Sequence, residues 1–303
     1  MQKIAYAGWK HCLKLSNGKV ELVITTDVGP RVIRFGFVGG QNLFKEYPDQ
    51  LGRTGGRAWR IYGGHRLWHA PEAKPRTYAP DNAPVRFTGQ GNRVQLVQAV
   101  EKETGIQKEM ELALDAGRNH VTVRHRLVNR NPWDVEFAVW SLSVMAPGGR
   151  ALYPHEPFKA HTDYLLPARP MVLWHYTDMR DPRWTWGTRY FQLRQDPRAA
   201  MPQKIGFLNR QGWAAYALRD EVFLKRFAPV PGAVYPDWGC NTETFTNADM
   251  LEVETLSPLQ RVPAGGAIEH TEHWYLFKAE PGAGEASVDR VLRPLLRQTR
   301  LVR

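Results

Sequence analysis

Apolar residues recur at every second position over much of this chain, the spacing that lays one face of a β-strand against a core. Within residues 19–24, Val20, Leu22 and Ile24 share a face, and the pattern resumes over Arg31–Phe37 after the turn Asp27-Val28-Gly29-Pro30. That spacing predicts a β-hairpin. Residues 93–100, Ile106–Leu114 and His120–Asn129 then follow in quick succession, with Ile106, Met110, Leu112 and Leu114 facing inward. Gly89-Gln90-Gly91-Asn92 and Asp115-Ala116-Gly117-Arg118-Asn119 supply the turns between them. Residues 136–145 are apolar on both faces, Phe137 and Val139 against Ala138, Trp140, Leu142 and Val144, which predicts a central strand covered on two sides. Further strands are expected over 171–176, 189–194, 205–208, Trp213–Leu218, 222–227, 243–246, 250–256 and Ala267–Lys278. Only residues 285–293 have helical spacing, with Val288, Val291 and Leu292 on one face and Pro294 as a stop or kink. Short strands separated by regular turns predict an all-β antiparallel sandwich with one short C-terminal helix.

The segments between strands carry their own information. Residues 71–84 hold four prolines and little periodicity, so an irregular loop is expected there, lying over the surface near a site. Residues 153–186 are irregular but rich in aromatic side chains, which predicts a packed loop layer. A length of 303 residues with 43% hydrophobic content suffices for a large core, and a single domain spanning 1–303 is expected. The chain lacks a run of the roughly 18 apolar residues that a membrane helix needs, and its first residues lack the pattern of a signal peptide, so a cytoplasmic protein without a membrane partner is expected. Cys12 and Cys240 have no metal-site spacing and are expected as buried free thiols. The net charge of +11 arises from arginines scattered along the chain, which argues against a nucleic-acid-binding arm. A diffuse positive field can still draw anionic ligands such as sugar phosphates or uronates.

Candidate chemistry concentrates in Trp59-Arg60-Ile61-Tyr62-Gly63-Gly64-His65-Arg66-Leu67-Trp68-His69-Ala70-Pro71-Glu72. Trp59, Tyr62 and Trp68 offer flat apolar faces, while Arg60, His65, Arg66 and His69 offer hydrogen-bond donors, a mixture suited to a sugar ring. Gly63-Gly64 allows a sharp turn or a close approach of backbone to ligand. The competing reading is a strand-to-strand corner whose tryptophans plug the core. His65, His69 and Glu72 have a spacing that would hold a metal on a helix, but Gly63-Gly64 and Pro71 argue against a helix, so no metal and no cofactor is expected. Trp68 is expected to stack on the sugar with little part in the fold. Asp237, Asn241 and Glu243 are either Asx-turn groups or sugar contacts beside Trp238. His270, Glu272 and Trp274 share a strand face that reads as a site or as an exposed ladder.

Leu251-Glu252-Val253-Glu254-Thr255-Leu256-Ser257-Pro258, then Pro263-Ala264-Gly265-Gly266, then Glu269-His270-Thr271-Glu272-His273-Trp274-Tyr275-Leu276-Phe277 resembles the C-terminal hairpin of the galactose mutarotase (aldose 1-epimerase) superfamily. Residues 129–145, an Asn-Pro turn leading into an apolar strand, are similar to that family's central region, and Gly63-Gly64-His65 to the Gly-Gly loop of its hexose-phosphate epimerase branch. More specifically, the chain resembles the bacterial DUF4380 branch. The likeness covers most of the chain and implies a β-supersandwich with a sugar-binding groove on a concave face. It also implies a Glu as general base on the anomeric hydroxyl and a His as general acid on the ring oxygen. Glu254 matches the base, with Glu252 on the same strand face. Where the family places its His, this chain has Trp140, so the acid falls to His65 or His69, or the chemistry is not mutarotation. The expected site is therefore Glu254, His65 and His69 as catalytic groups, with Arg60, Tyr62, Arg66, Trp68, Trp140, Asp237, Asn241, Glu243 and Glu252 binding a small carbohydrate. Two classes of function follow: an aldose 1-epimerase-like or related carbohydrate-active enzyme, and a non-catalytic carbohydrate-binding or sensing protein.

Overall fold

Alternating burial along the strands is satisfied by two large sheets that face one another in a computed structural model describing residues 1–301. One sheet has 11 strands and the other 10, and every strand pairing among the described residues is antiparallel. Strand accounts for 45% of the chain and helix for 7%, so the all-β expectation holds. The expected hairpin is present as Val20–Thr25 and Arg31–Phe37. Ile106–Leu114 and His120–Asn129 pair with each other as read, and Ile106, Met110, Leu112 and Leu114 all enter the core. Val135–Met145 is the central strand of the larger sheet, flanked by His65–Ala70 on one side and Leu251–Leu256 on the other.

Between the sheets lies the main apolar core, in which Leu67, Val139 and Val253 of the larger sheet meet Met110, Phe223 and Leu276 of the smaller. The outer face of the smaller sheet is covered by the C-terminal helix Glu285–Gln298, whose Val288 and Leu292 pack with Leu152, Trp213 and Leu224. This helix runs through Pro294, because Leu295 and Leu296 beyond it still pack against the same cluster. The outer face of the larger sheet carries a second apolar cluster, Trp68, Ala70, Ala138, Trp140, Leu142 and Leu256, packed against Trp59 and Tyr78 from the loops above.

Several elements differ from the sequence expectation. Gln2–Tyr6 is the edge strand of the larger sheet and pairs with Trp9–Ser16, which joins it to Val20–Thr25, and Arg150–Pro154 is an interior strand of the smaller one. The turn after residue 88 is tighter than expected, since Arg86–Gln90 continues as strand as far as Gln90 and pairs directly with Arg93–Val97. Residues 71–84 are irregular apart from one short 3₁₀ turn, Arg76–Tyr78. His270, Glu272 and Trp274 form no exposed ladder. All three are buried between the sheets.

Candidate functional site

The sheet register explains which of the candidate residues meet. Along His65–Ala70, side chains alternate between the two faces of the sheet. His65, Leu67 and His69 point one way, and Arg66, Trp68 and Ala70 the other. Arg66 lies opposite Leu142, which lies opposite Glu254, which lies opposite Glu243. One pleat along, Trp68 lies opposite Trp140, and Trp140 opposite Leu256. A pleat the other way, Val144 lies opposite Glu252, Glu252 opposite Phe245, and Phe245 opposite Lys204. Arg66, Trp68, Trp140, Lys204, Glu243, Glu252 and Glu254 are thus brought onto one face from five strands.

Above this grid opens a pocket of about 430 Å³, a volume suited to a monosaccharide with its water. Glu252, Glu254, Arg66 and Lys204 line its floor with Trp68 and Trp140, and Trp59, Tyr78, Tyr176 and Tyr47 come in from the surrounding loops. The Trp140 indole N–H donates to Glu254 Oε2 at 2.8 Å, while Glu254 Oε1 is buried and accepts no hydrogen bond from the protein. Arg66 pairs with Glu252 at 2.8 Å and lies over the Trp68 ring, 4.5 Å from its centre. Lys204 Nζ is 2.7 Å from Glu243 Oε2 and 4.0 Å from Glu254 Oε2, and it sits over both Trp140 and Trp174. Burial raises the Glu254 carboxyl to about 7 against the opposing pull of Lys204, and burial pushes Glu243 well above the usual carboxylate range. Burial also works against the Lys204 ammonium, but Glu243 and Glu254 outweigh it and hold the group charged. A carboxyl near 7 with one free oxygen can both accept and release a proton at neutral pH.

The remaining candidates lie elsewhere. His65 and His69 are on the reverse of the sheet, so neither imidazole reaches the pocket that holds Glu254. His65 bonds Ser143 Oγ at 2.8 Å and His125 Nε2 at 2.7 Å, and burial holds it neutral. His69 faces Glu101 at 3.5 Å. Being four residues apart on an extended strand, the two imidazoles are separated by about 13 Å along the chain, too far to share a metal. Arg60 donates to Gly55 O at 2.7 Å, and Tyr62 is fully buried against Trp9. Asn241 is tied to the Asn209 backbone at 2.7 and 3.1 Å, a structural role. Asp237 and Trp238 adopt left-handed backbone conformations, and Trp238 is 91% exposed outside the pocket. The Gly63-Gly64 pair is needed for close approach to protein and not to ligand, since a Cβ there would stand 2.0 Å from Lys45 O or 2.3 Å from Val32 O.

Lys204, Tyr47, Tyr78 and Tyr176 join the site although no local pattern marks them. The alternation of Lys204 with Gly206 is the one usable signal, and it becomes visible once the strand is known to begin at Gln203. Behind the site, between the sheets, lies a second polar cluster: His65, His125 and Glu272 have ligand atoms within 4.8 Å of one another. Lys225 pairs with Glu272 at 2.9 Å, and the two imidazoles are hydrogen-bonded to each other, so the cluster is an internally satisfied network and holds no open coordination position. A larger hollow of about 910 Å³ beside Arg210, Arg226 and Arg300 has neither a carboxylate nor an imidazole side chain among its described lining residues.

Two facing antiparallel sheets of this size, one bearing a pocket on its outer face, define a galactose mutarotase-like β-supersandwich. Several of the solved structures similar to the chain carry the names of that kind of protein. A candidate aldose 1-epimerase from Klebsiella pneumoniae matches at a TM-score of 0.59 and 12% identity, over 97% of this chain and 86% of its own. Galactose mutarotase-like proteins from Lactobacillus casei (TM-score 0.56, 10% identity, 88% of this chain and 100% of that one) and Clostridium acetobutylicum (TM-score 0.54, 10% identity, 91% and 98%) match similarly. At these identities the likeness is one of fold. No protein-family model matches the chain, and no curated protein matches it in sequence. No helix among the described residues is long and apolar enough to cross a membrane.

Proposed function

We propose that the chain, as one domain, binds a monosaccharide in the pocket above Glu254 and catalyses aldose 1-epimerase-like interconversion of its anomers. The observation that carries this reading is the Glu254 carboxyl itself. It is buried under aromatic walls, raised to about 7, held through one oxygen by Trp140 and left free at the other. In the proposed reaction Glu254 Oε1 takes the proton of the anomeric hydroxyl as the ring C–O bond breaks. The ring oxygen needs a donor a few ångströms away, and Lys204, 4.0 Å from Glu254, fills the place that the sequence assigned to His65 or His69. The free aldehyde rotates, and the two proton transfers reverse to close the other anomer. The aldose 1-epimerase and mutarotase names of the structural neighbours support a sugar ligand at the level of fold only. Placement in the DUF4380 branch rests on the sequence likeness alone.

A second reading, a non-catalytic sugar-binding protein, is favoured by one observation: the indole of Trp140, the residue that by sequence likeness stands where the family has its His, bonds Glu254 directly. Exchange of α and β anomers by NMR, with a reducing sugar shown to bind, separates the two. In an epimerase the wild type accelerates exchange, and Glu254→Gln lowers turnover on the order of a hundredfold with a much smaller loss of affinity. Binding without acceleration for every bound reducing sugar excludes the epimerase.

A further inference from the structure

The protein as a whole is strongly basic, at a net charge of +11, and its field draws anions. The pocket is locally the reverse. Its charged lining consists of Glu72, Asp249, Glu252 and Glu254 against Arg66 and Lys204. Three of the acids near it have a cation of their own: Arg66 meets Glu252, Lys45 meets Asp249, and Lys204 meets Glu243 just behind the wall. Glu254 is left to share an ammonium that stands 1.3 Å closer to another carboxylate, 2.7 against 4.0 Å. Two buried carboxyls share this one buried cation, and burial raises both, so one of them keeps a proton unless a second positive charge arrives.

Both cations of the pocket are also committed to the protein's own rings, Arg66 over Trp68 and Lys204 over Trp140 and Trp174. Arg66 keeps donors without a hydrogen-bond partner, but an anionic ligand reaching them would share the pocket with Glu252, Glu254 and the exposed Glu72. An ammonium group would instead find an unpartnered, buried carboxylate oxygen, Glu254 Oε1, in a pocket also lined by the half-buried Trp59 and Tyr176.

From this arrangement we infer that the ligand is an amino sugar, a monosaccharide bearing a protonated primary amine that bonds the unpartnered oxygen of Glu254 and brings a second positive charge to the pair of carboxyls around Lys204. The inference rests on the sugar-site reading and narrows it, excluding the sugar phosphates and uronates that overall charge alone would favour.

The test is calorimetric titration of the full chain with three hexosamines (glucosamine, galactosamine and mannosamine), their N-acetyl forms, the parent hexoses and the corresponding hexuronates. At least one hexosamine should bind about tenfold or more tightly than both its N-acetyl form and its parent hexose, the worth of one charge-assisted hydrogen bond. Glu254→Gln should erase that advantage, bringing the hexosamine down to the affinity that its parent hexose shows in the same variant. Glu72→Gln, at an exposed position where folding is not at issue, should reduce the advantage a fewfold. Parent hexoses binding as well as hexosamines, or hexuronates binding best, would overturn the amine while leaving the sugar site standing. Absence of binding by every sugar class would remove both readings together, and cyclohexylamine binding as tightly as the best hexosamine would remove the sugar.

Discussion

Removing the charge of Glu272 should be among the most damaging single changes available to this fold. The side chain is fully buried between the sheets, on a strand of the smaller sheet, and every one of its partners is a donor. Oε1 accepts from Ser141 Oγ at 2.8 Å, Thr255 Oγ1 at 2.6 Å and Lys225 Nζ at 2.9 Å, while Oε2 accepts from the Trp274 indole at 2.7 Å. Burial would raise this carboxyl, but the Lys225 ammonium holds it well below its ordinary range. In Glu272→Gln the oxygen can satisfy one side only, so an amide N–H₂ faces another donor and the Lys225 ammonium loses its counter-charge. Breaking a buried pair from one side costs about 3–5 kcal/mol, a large part of the 5–15 kcal/mol by which domains are usually stable. Urea unfolding followed by indole fluorescence reads the loss directly. Adding Lys225→Met should recover about half of it or more, because the uncompensated ammonium disappears with little change in volume. A Glu272→Gln protein within about 1 kcal/mol of wild type, or a double variant no more stable than the single one, would refute the account of the network.

The raised Glu254 carboxyl makes a second test independent of any ligand. Its folded value of about 7 lies above the unfolded one, so its contribution is fully present below about pH 4.5 and is lost as pH rises through 7. Glu254→Gln escapes that loss, and its stability relative to wild type should improve by about 3 kcal/mol between pH 4.5 and 8.5; a pH-independent difference in unfolding midpoints contradicts the shift. If Glu254 is the base, kcat/KM should fall about tenfold per pH unit below 7, and a profile flat down to pH 5 removes it from that role. Trp68, read from sequence as a stacking residue with little part in the fold, is only 5% exposed and packs against Trp59, Tyr78 and Trp140. Trp68→Ala should therefore cost about 3–5 kcal/mol of stability, measured by chemical denaturation, and a loss below 1 kcal/mol would show that its ring is not part of the packing.

The alternation of apolar side chains determined most of the fold, because a period of two is a local property that survives without knowledge of any partner. Ile106–Leu114, His120–Asn129, Trp213–Leu218 and Ala267–Lys278 were legible to the residue for that reason. Trp9–Ser16 was not, since Cys12 and Leu13 are both buried and break the alternation. His65–Ala70 was read as a binding loop because both of its faces are buried and each carries polar groups. Periodicity divides such a strand into two sets, His65 with His69 and Arg66 with Trp68, but it cannot say which set faces the other sheet and which the pocket. That choice depends on register against Val135–Met145, about 70 residues away in the chain, and through it on Leu251–Leu256, about 185 residues away. Glu254 could be picked out by its resemblance to a family pattern. Lys204, its neighbour 4.0 Å away, could not, because only the pairing of Gln203–Phe207 with Thr242–Thr246, and of that strand with Leu251–Leu256, brings ammonium and carboxylates together.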